Sequence, residues 1–202
     1  MRKTLVLAVL LTFVCGSAAL AGIPDPSRSG CAASGTGTAT CHYAFSVDAA
    51  TGDCLTIDVT LRDAFDSPVA SCSTSATLTA NAGTSFLCAC EGLRLDGFTN
   101  GSGIISFVWC CIGGYGNLDI NVTAHCTGNI AICSENIEFT STDLNGSCDA
   151  TNSTGVVDLG AWAAGLPPGY SVYSDYNCDG TVGVVDLGFW ASGLGKGCND
   201  CP

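Results

Sequence analysis

Between residues 31 and 140 the apolar positions come in short alternating runs separated by turn signals. Leu55, Ile57, Val59 and Leu61 point one way, and Thr56, Asp58, Thr60 and Arg62 the other. That period of two predicts a half-buried strand. Leu118, Ile120, Val122 and Ala124 alternate in the same way with Asp119, Asn121 and Thr123. Ile104 to Trp109 is more continuously apolar, as for a strand buried on both faces. Further strands are predicted over 42–47, 74–80, 85–95 and 130–139, with Asp63 to Pro68 as a turn. About seven to eight short strands in such a span predict a two-sheet sandwich.

The period changes near the C-terminus. Leu187, Trp190, Ala191 and Leu194 are spaced i, i+3, i+4, i+7, which predicts a helix. The stretch is repeated: Gly155 to Leu166 reads G-V-V-D-L-G-A-W-A-A-G-L, and Gly183 to Leu194 reads G-V-V-D-L-G-F-W-A-S-G-L. Trp162 and Trp190 occupy matching positions and are expected in a shared core.

Ahead of the second repeat lies D-Y-N-C-D-G-T-V-G-V-V-D. Asp175, Asn177, Asp179 and Asp186 fall at positions 1, 3, 5 and 12, Gly180 is at 6, and Thr181 can give its carbonyl at 7. This is the ligand spacing of an EF-hand calcium loop, with Asp in place of Glu at 12. The first loop is degenerate. Aligned without gaps it offers Ser147, Asp149, Thr151 and Asp158, with Asn152 where Gly belongs; a second register starts at Asp143 and carries a four-residue insertion. Both registers stay open on the sequence. Loop 2, with more carboxylates and Gly at the turn, is expected to hold calcium more tightly.

A duplicated calcium loop plus helix in so short a span resembles a type I dockerin module, over about 143–198. The resemblance implies a small all-α calcium-binding module, Asp as the usual residue at loop position 12, and a cohesin-like or other extracellular protein as partner. It also implies that loop positions 10 and 11 meet that partner. Here these are Val156, Val157, Val184 and Val185, so the contact is expected to be apolar, with packing on the protein's own sandwich as the other outcome. The antiparallel arrangement of that family further implies Cys198 or Cys201 near Cys148, with Cys178 bonded to the other. Upstream, L-T-I-D-V-T-L-R-D-A-F-D-S-P-V-A (55–70) and D-G-F-T-N-G-S-G-I-I-S-F (96–107) resemble bacterial immunoglobulin-like domains of the invasin type, over roughly 40–125.

The N-terminus changes the setting. Arg2 and Lys3, an apolar run from Leu5 to Val14, and Ala19-Leu20-Ala21 read as a secretory signal peptide cleaved before Gly22. A lipoprotein reading at Cys15 is disfavoured by Val14. No later segment approaches 18 consecutive apolar residues, so no membrane span is expected in the mature chain. Removing 21 of 202 residues leaves 181 and takes two of six bases with it. Eighteen acidic residues then stand against four basic ones, a net charge of −14. Such a charge speaks against nucleic acid or anionic lipid as partner. Of fifteen cysteines, fourteen remain: ten in 31–133, and Cys148, Cys178, Cys198 and Cys201 beyond. In an oxidising compartment they read as a disulfide framework. Zinc and redox readings lack a paired C-x2-C set and a preceding βαβ unit.

Catalytic chemistry finds little support. His42 and His125 are both in expected strands and read as surface or packing residues, and no G-x-S-x-G accompanies them. Asp63 and Asp66 belong to one turn, and Glu135 and Glu138 read as solvated. Phe107, Trp109 and Tyr115 flank an expected G-G-Y-G turn at 113–116 and could stack on a sugar, but core packing of Phe107 and Trp109 is favoured.

The expected fold is mainly β: an immunoglobulin-like β-sandwich followed by a small all-α dockerin-like module. The boundaries are a signal peptide at 1–21, an extended leader at 22–30, a disulfide-rich sandwich at 31–140, the calcium-binding module at 143–198 and a tail at 199–202. The expected function is that of a secreted, non-catalytic, Ca2+-binding protein mediating extracellular assembly or surface attachment. A carbohydrate-binding accessory of polysaccharide breakdown is the alternative.

Overall fold

The computed structural model describes residues 22–35, 42–45, 54–81, 84–146 and 154–196. Nine strands precede two helices: β1 (Gly30–Gly35), β2 (Tyr43–Phe45), β3 (Leu55–Thr60), β4 (Ser73–Ala80), β5 (Ser85–Ala89), β6 (Arg94–Phe98), β7 (Ile104–Trp109), β8 (Ile112–Ala124), β9 (Ile130–Ser141), α1 (Val156–Ala163) and α2 (Val184–Ser192). A three-stranded sheet runs β1-β3-β7. A six-stranded sheet runs β2-β9-β8-β4-β6, with β5 added against β8.

One core lies between the sheets. Leu55, Ile57, Val59 and Leu61 are fully buried from the small sheet, with Leu118, Ile120, Val122 and Phe139 facing them from the large one. The alternation of apolar residues in β3 and β8 is thus a core face in each. Three disulfides fix this arrangement. Cys54–Cys110 joins the paired ends of β3 and β7, and Cys72–Cys126 joins β4 to β8. Cys31–Cys133 crosses from β1 to β9, closing 102 residues of sequence. In a chain-entropy model a loop that long contributes about 4–5 kcal/mol.

The structure overturns the expected fold class. Among the described residues it is mainly β, with a curled sheet and only two short α-helices, and a small all-α C-terminal module is not seen. The physical reason is the size of the apolar set. Beyond β9 the buried large side chains are Leu144, Trp162, Tyr176, Val182 and Trp190, too few to close a core alone. They cluster with Ala44 of β2, and Tyr115 of β8 packs against them. Strand β9 ends at Ser141, and the first loop begins two residues later with no linker between. Hydrogen bonds join the two parts: Thr140 Oγ1 donates to the Tyr173 carbonyl, Tyr176 Oη to the Ser141 carbonyl, and Gly114 N to the Asp143 carbonyl.

Smaller corrections follow. The 85–95 strand is two strands, β5 and β6. Strand β1 occupies residues read as the junction of leader and sandwich. Strand β7 alternates rather than being buried on both faces: Ile104, Ser106 and Val108 are exposed, because β7 is the edge of the small sheet. The 113–116 glycines are not a turn but the start of the 13-residue β8. They are there for close approach. A Cβ on Gly113 would stand 2.7 Å from Cys88 Sγ and 2.9 Å from Asp143 Oδ2. The leader is docked, not merely extended, with Asp25 N donating to the Arg62 carbonyl. The signal segment, residues 1–21, lies outside the described residues.

Candidate metal centre

Loop 2 is built by its own carboxylates. Asp175, fully buried, accepts from Asp179 N at Oδ1 (3.2 Å) and from Gly180 N at Oδ2 (2.9 Å). The Tyr170 hydroxyl donates to the same Oδ2 (2.8 Å). Asp186, 1% exposed, accepts from Asn177 N at Oδ1 (3.3 Å) and from Gly183 N at Oδ2 (2.8 Å). It is both the last loop position and the third residue of α2, where a carboxylate satisfies a free N–H at the helix start. Asp179 accepts from Thr181 N and Oγ1 and from Asn177 Nδ2. Gly180 takes φ +86°, the left-handed turn for which the sequence pattern reserves Gly.

Loop 1 shows which register the chain uses. Asn145 N donates to Asp158 Oδ1 (3.0 Å) and Gly155 N to Asp158 Oδ2 (2.8 Å), repeating the two bonds that Asn177 and Gly183 make to Asp186. Gly146 N donates to Asp143 Oδ1 (3.0 Å). Asp143 therefore stands where Asp175 does, Leu144 where Tyr176 does and Asn145 where Asn177 does. The loop from Asp143 to Asp158 is four residues longer than its counterpart. Ser147, Asp149 and Thr151, with Asn152, lie outside the described residues.

The two halves pack reciprocally. Past α1, a Cβ on Gly165 would stand 2.8 Å from Ser174 Cβ, just before loop 2; past α2, one on Gly193 would collide with Thr142, just before loop 1. Backbone bonds Thr154 N to Lys196 O and Gly195 N to Thr154 O tie the far ends together.

The electrostatics are one-sided. Asp143, Asp158, Asp175 and Asp186 are at most 4% exposed. Among the described residues the single ion pair is Arg94–Asp96, far along the large sheet. Buried carboxylates are normally paired or bound to metal. The Tyr170 hydroxyl is held above its ordinary range, chiefly by its hydrogen bond to Asp175, with Asp179 and Asp186 adding to the effect. Those three carboxylates thus share one neighbourhood. Burial likewise raises Tyr176, beside Asp158 and Asp186. Among the described residues no three His, Cys, Asp or Glu side chains already form a metal cluster, and Asp179 is turned toward Thr181 and Asn177. The donors are oxygens alone, carboxylate with amide, which fits a hard divalent cation rather than zinc or copper.

Val156, Val157, Val184 and Val185 are 81, 63, 82 and 60% exposed. They do not pack on the sandwich. Phe107 and Trp109 are buried, so no sugar platform forms there. His42 is not in a strand but just before β2, buried, and its pKa is lowered by that burial. Cys178 is disulfide-bonded and its Sγ stands 3.7 Å from His42 Nδ1. Cys148, Cys198 and Cys201 lie outside the described residues.

Sequence reading missed one constellation. Ser75 Oγ is 2.8 Å from His125 Nε2, and His125 Nδ1 is 2.8 Å from Asn129 Oδ1. The order suggests a nucleophile relay, but Ser75 is 3% exposed and mid-strand between β6 and β8. Its neighbouring amides are spent on strand pairing, leaving no oxyanion donors. The three residues act as a clamp on the end of the large sheet.

The chain matches no protein-family model and no curated protein. The solved structure of Yersinia pseudotuberculosis adhesin InvE is similar to it at a TM-score of 0.40 and 16% identity, over 59% of this chain and 28% of that one. The chain thus spans under a third of that structure, and a likeness of this degree says nothing of function. Among the described residues no helix is long and apolar enough to cross a membrane.

Proposed function

We infer that this is a secreted, non-catalytic, calcium-binding protein, whose two C-terminal loops hold Ca2+ and present a valine face to an extracellular partner protein. The observation that carries the reading is the duplicated pair of buried carboxylates, Asp143 with Asp158 and Asp175 with Asp186, each closing pair held by the same backbone N–H positions. Asp175, Asn177, Asp179, Asp186 and the Thr181 carbonyl are the ligands in loop 2, and Asp143, Asn145 and Asp158 in loop 1. A bound calcium ion would supply positive charge to these buried carboxylates. The chain's residues do the rest: Gly183 and Gly155 N–H groups orient the closing carboxylates, and the loops hold each helix start in place.

The valine pairs follow directly from those helix starts. Four exposed valines are costly to leave in water, and burying each against a partner contributes roughly 1.5–3 kcal/mol. The acidic chain favours a partner with an apolar centre and a basic rim. Titration calorimetry with Ca2+ on the full mature chain is the direct test, with limited proteolysis beside it. Cleavage within 143–196 is expected to be far faster in EDTA, and no heat of binding with equal protection would end the reading. The valine face is tested by co-purification from culture medium. Val184→Asp with Val185→Asp is expected to weaken partner capture on the order of 100-fold while calcium affinity holds; unchanged capture would remove the valines from the interface.

A further inference from the structure

Gly22 N lies 3.2 Å from Asp63 Oδ2. Asp63 is 2% exposed, and its other oxygen already accepts from Phe65 N and Ser67 N at 2.9 Å each. No basic side chain touches this carboxylate among the described residues. Gly22 is also the first residue after Ala19-Leu20-Ala21, the small-residue pattern of a signal-peptidase site. The peptide nitrogen that export would free is therefore the one already aimed at a buried, unneutralised carboxylate.

We propose that removal of the signal peptide completes the fold, by turning the Gly22 amide into an α-ammonium that pairs with Asp63. Water is the co-reactant. The Ala21–Gly22 C–N bond breaks, the water oxygen becomes part of the Ala21 carboxylate, and both water protons go to the Gly22 nitrogen, which becomes an NH3+ group. Before cleavage Asp63 receives a neutral N–H; afterwards it receives a charged donor, and such bonds are roughly twice as strong as neutral ones. The new pair fastens the leader to the turn after β3. The leader is poised for this: Pro24 is buried, Asp25 N donates to the Arg62 carbonyl, and Arg62 N donates to Ser29 Oγ. The charged groups around the site are Asp63, Asp66 and Arg62 in the turn, with Asp25 and Arg28 in the leader; Arg28 acts on Asp63 only through space. The uncleaved form thus holds its N-terminal edge by a weaker bond, which suits a chain that must stay loose until export.

The proposal rests on the secretion reading, and the test separates the two. Two oxidised full-length proteins are compared, one starting at Gly22 and one at Leu20, with intact mass and N-terminal sequencing of the naturally secreted protein. The Gly22 form is expected to melt roughly 2–4 °C higher near neutral pH. A paired α-ammonium has its pKa raised above the ordinary 7.7–8.0 or so. Its stabilisation is full below that range and lost as pH rises through the folded value, so the gap should close in alkali. Asp63→Asn, which keeps an acceptor for Phe65 and Ser67, should erase the gap at every pH. Equal melting temperatures, or a gap that survives Asp63→Asn, overturn the ion pair. A natural start other than Gly22 overturns the proposal through its cleavage premise, whatever the two purified forms show.

Discussion

The two acidic loops share their ends and differ in their middles. Asp143 and Asp175 open them, Asp158 and Asp186 close them, and the closing carboxylates accept from the same two backbone positions in each half. Counted with these ends, loop 2 takes twelve residues and loop 1 sixteen. The closing Asp serves as the cap of a helix start, and in the proposed function it is a ligand as well. Its drift would cost the helix start a cap, about 0.5–2 kcal/mol. The middle positions offer oxygens alone, so they can lengthen provided the ends still meet. The reciprocal packing of each helix end on the start of the other loop holds those ends in place.

Removing the closing carboxylate of each half in turn should break the comparison most strongly. Loop 2 places Asp175, Asp179 and Asp186 in twelve residues around Gly180; the longer loop 1 also carries three carboxylates but is less pre-organised, and site rigidity tunes calcium affinity. Asp186→Ala is expected to remove the tight phase in calorimetry, a loss on the order of 100-fold or more. Asp158→Ala should spare most of that phase and remove the weaker one. The reverse order, or two equal phases in the wild type, would show that four extra residues cost loop 1 nothing.

The helix ends come next in size. Gly193→Ala pushes a methyl into Thr142, and Gly165→Ala pushes one against Ser174. Overpacking of this kind costs about 1–3 kcal/mol. Each change is made in one half and strains the loop of the other, so Gly193→Ala is expected to weaken the loop 1 calcium phase and Gly165→Ala the loop 2 phase. Calorimetry alongside thermal melts reads both. If each substitution affected the loop of its own half instead, the reciprocal packing would be wrong.

Much of this was legible in residue pattern. The alternation in β3 and β8 marked the core faces, because only one side of each strand meets the other sheet. The D-x-N-x-D-G run and the duplicated G-V-V-D marked the tight turn at Gly180 and the two capped helix starts, because such signals are local. What stayed hidden depends on contacts between distant residues. Gly113 and Gly114 look like turn residues until Cys88 and Asp143 are seen against them. The register of loop 1 was undecidable from spacing alone; the Asn145 bond to Asp158 decides it. The all-α module failed for a related reason. Its periodic helices are real, but their apolar side chains needed β2 and β8 to bury them, and no pattern within the repeat says so.

The smallest expected difference is the one that most closely isolates the two halves. Trp162 Nε1 donates to the Ser174 carbonyl (3.1 Å), while Trp190 Nε1, equally buried, has no acceptor among the described residues. Both indoles fill similar space, so replacing either by Phe removes a similar volume. Trp162→Phe also strands a buried carbonyl, which costs about 1–3 kcal/mol. Trp190→Phe instead removes an N–H that was unsatisfied from the start, offsetting part of its cavity. Chemical denaturation at saturating calcium should therefore find Trp162→Phe the more destabilising, by about 1 kcal/mol. Equal losses would mean that the Trp190 ring finds an acceptor in solution, and that the two halves are more alike than their hydrogen bonds suggest.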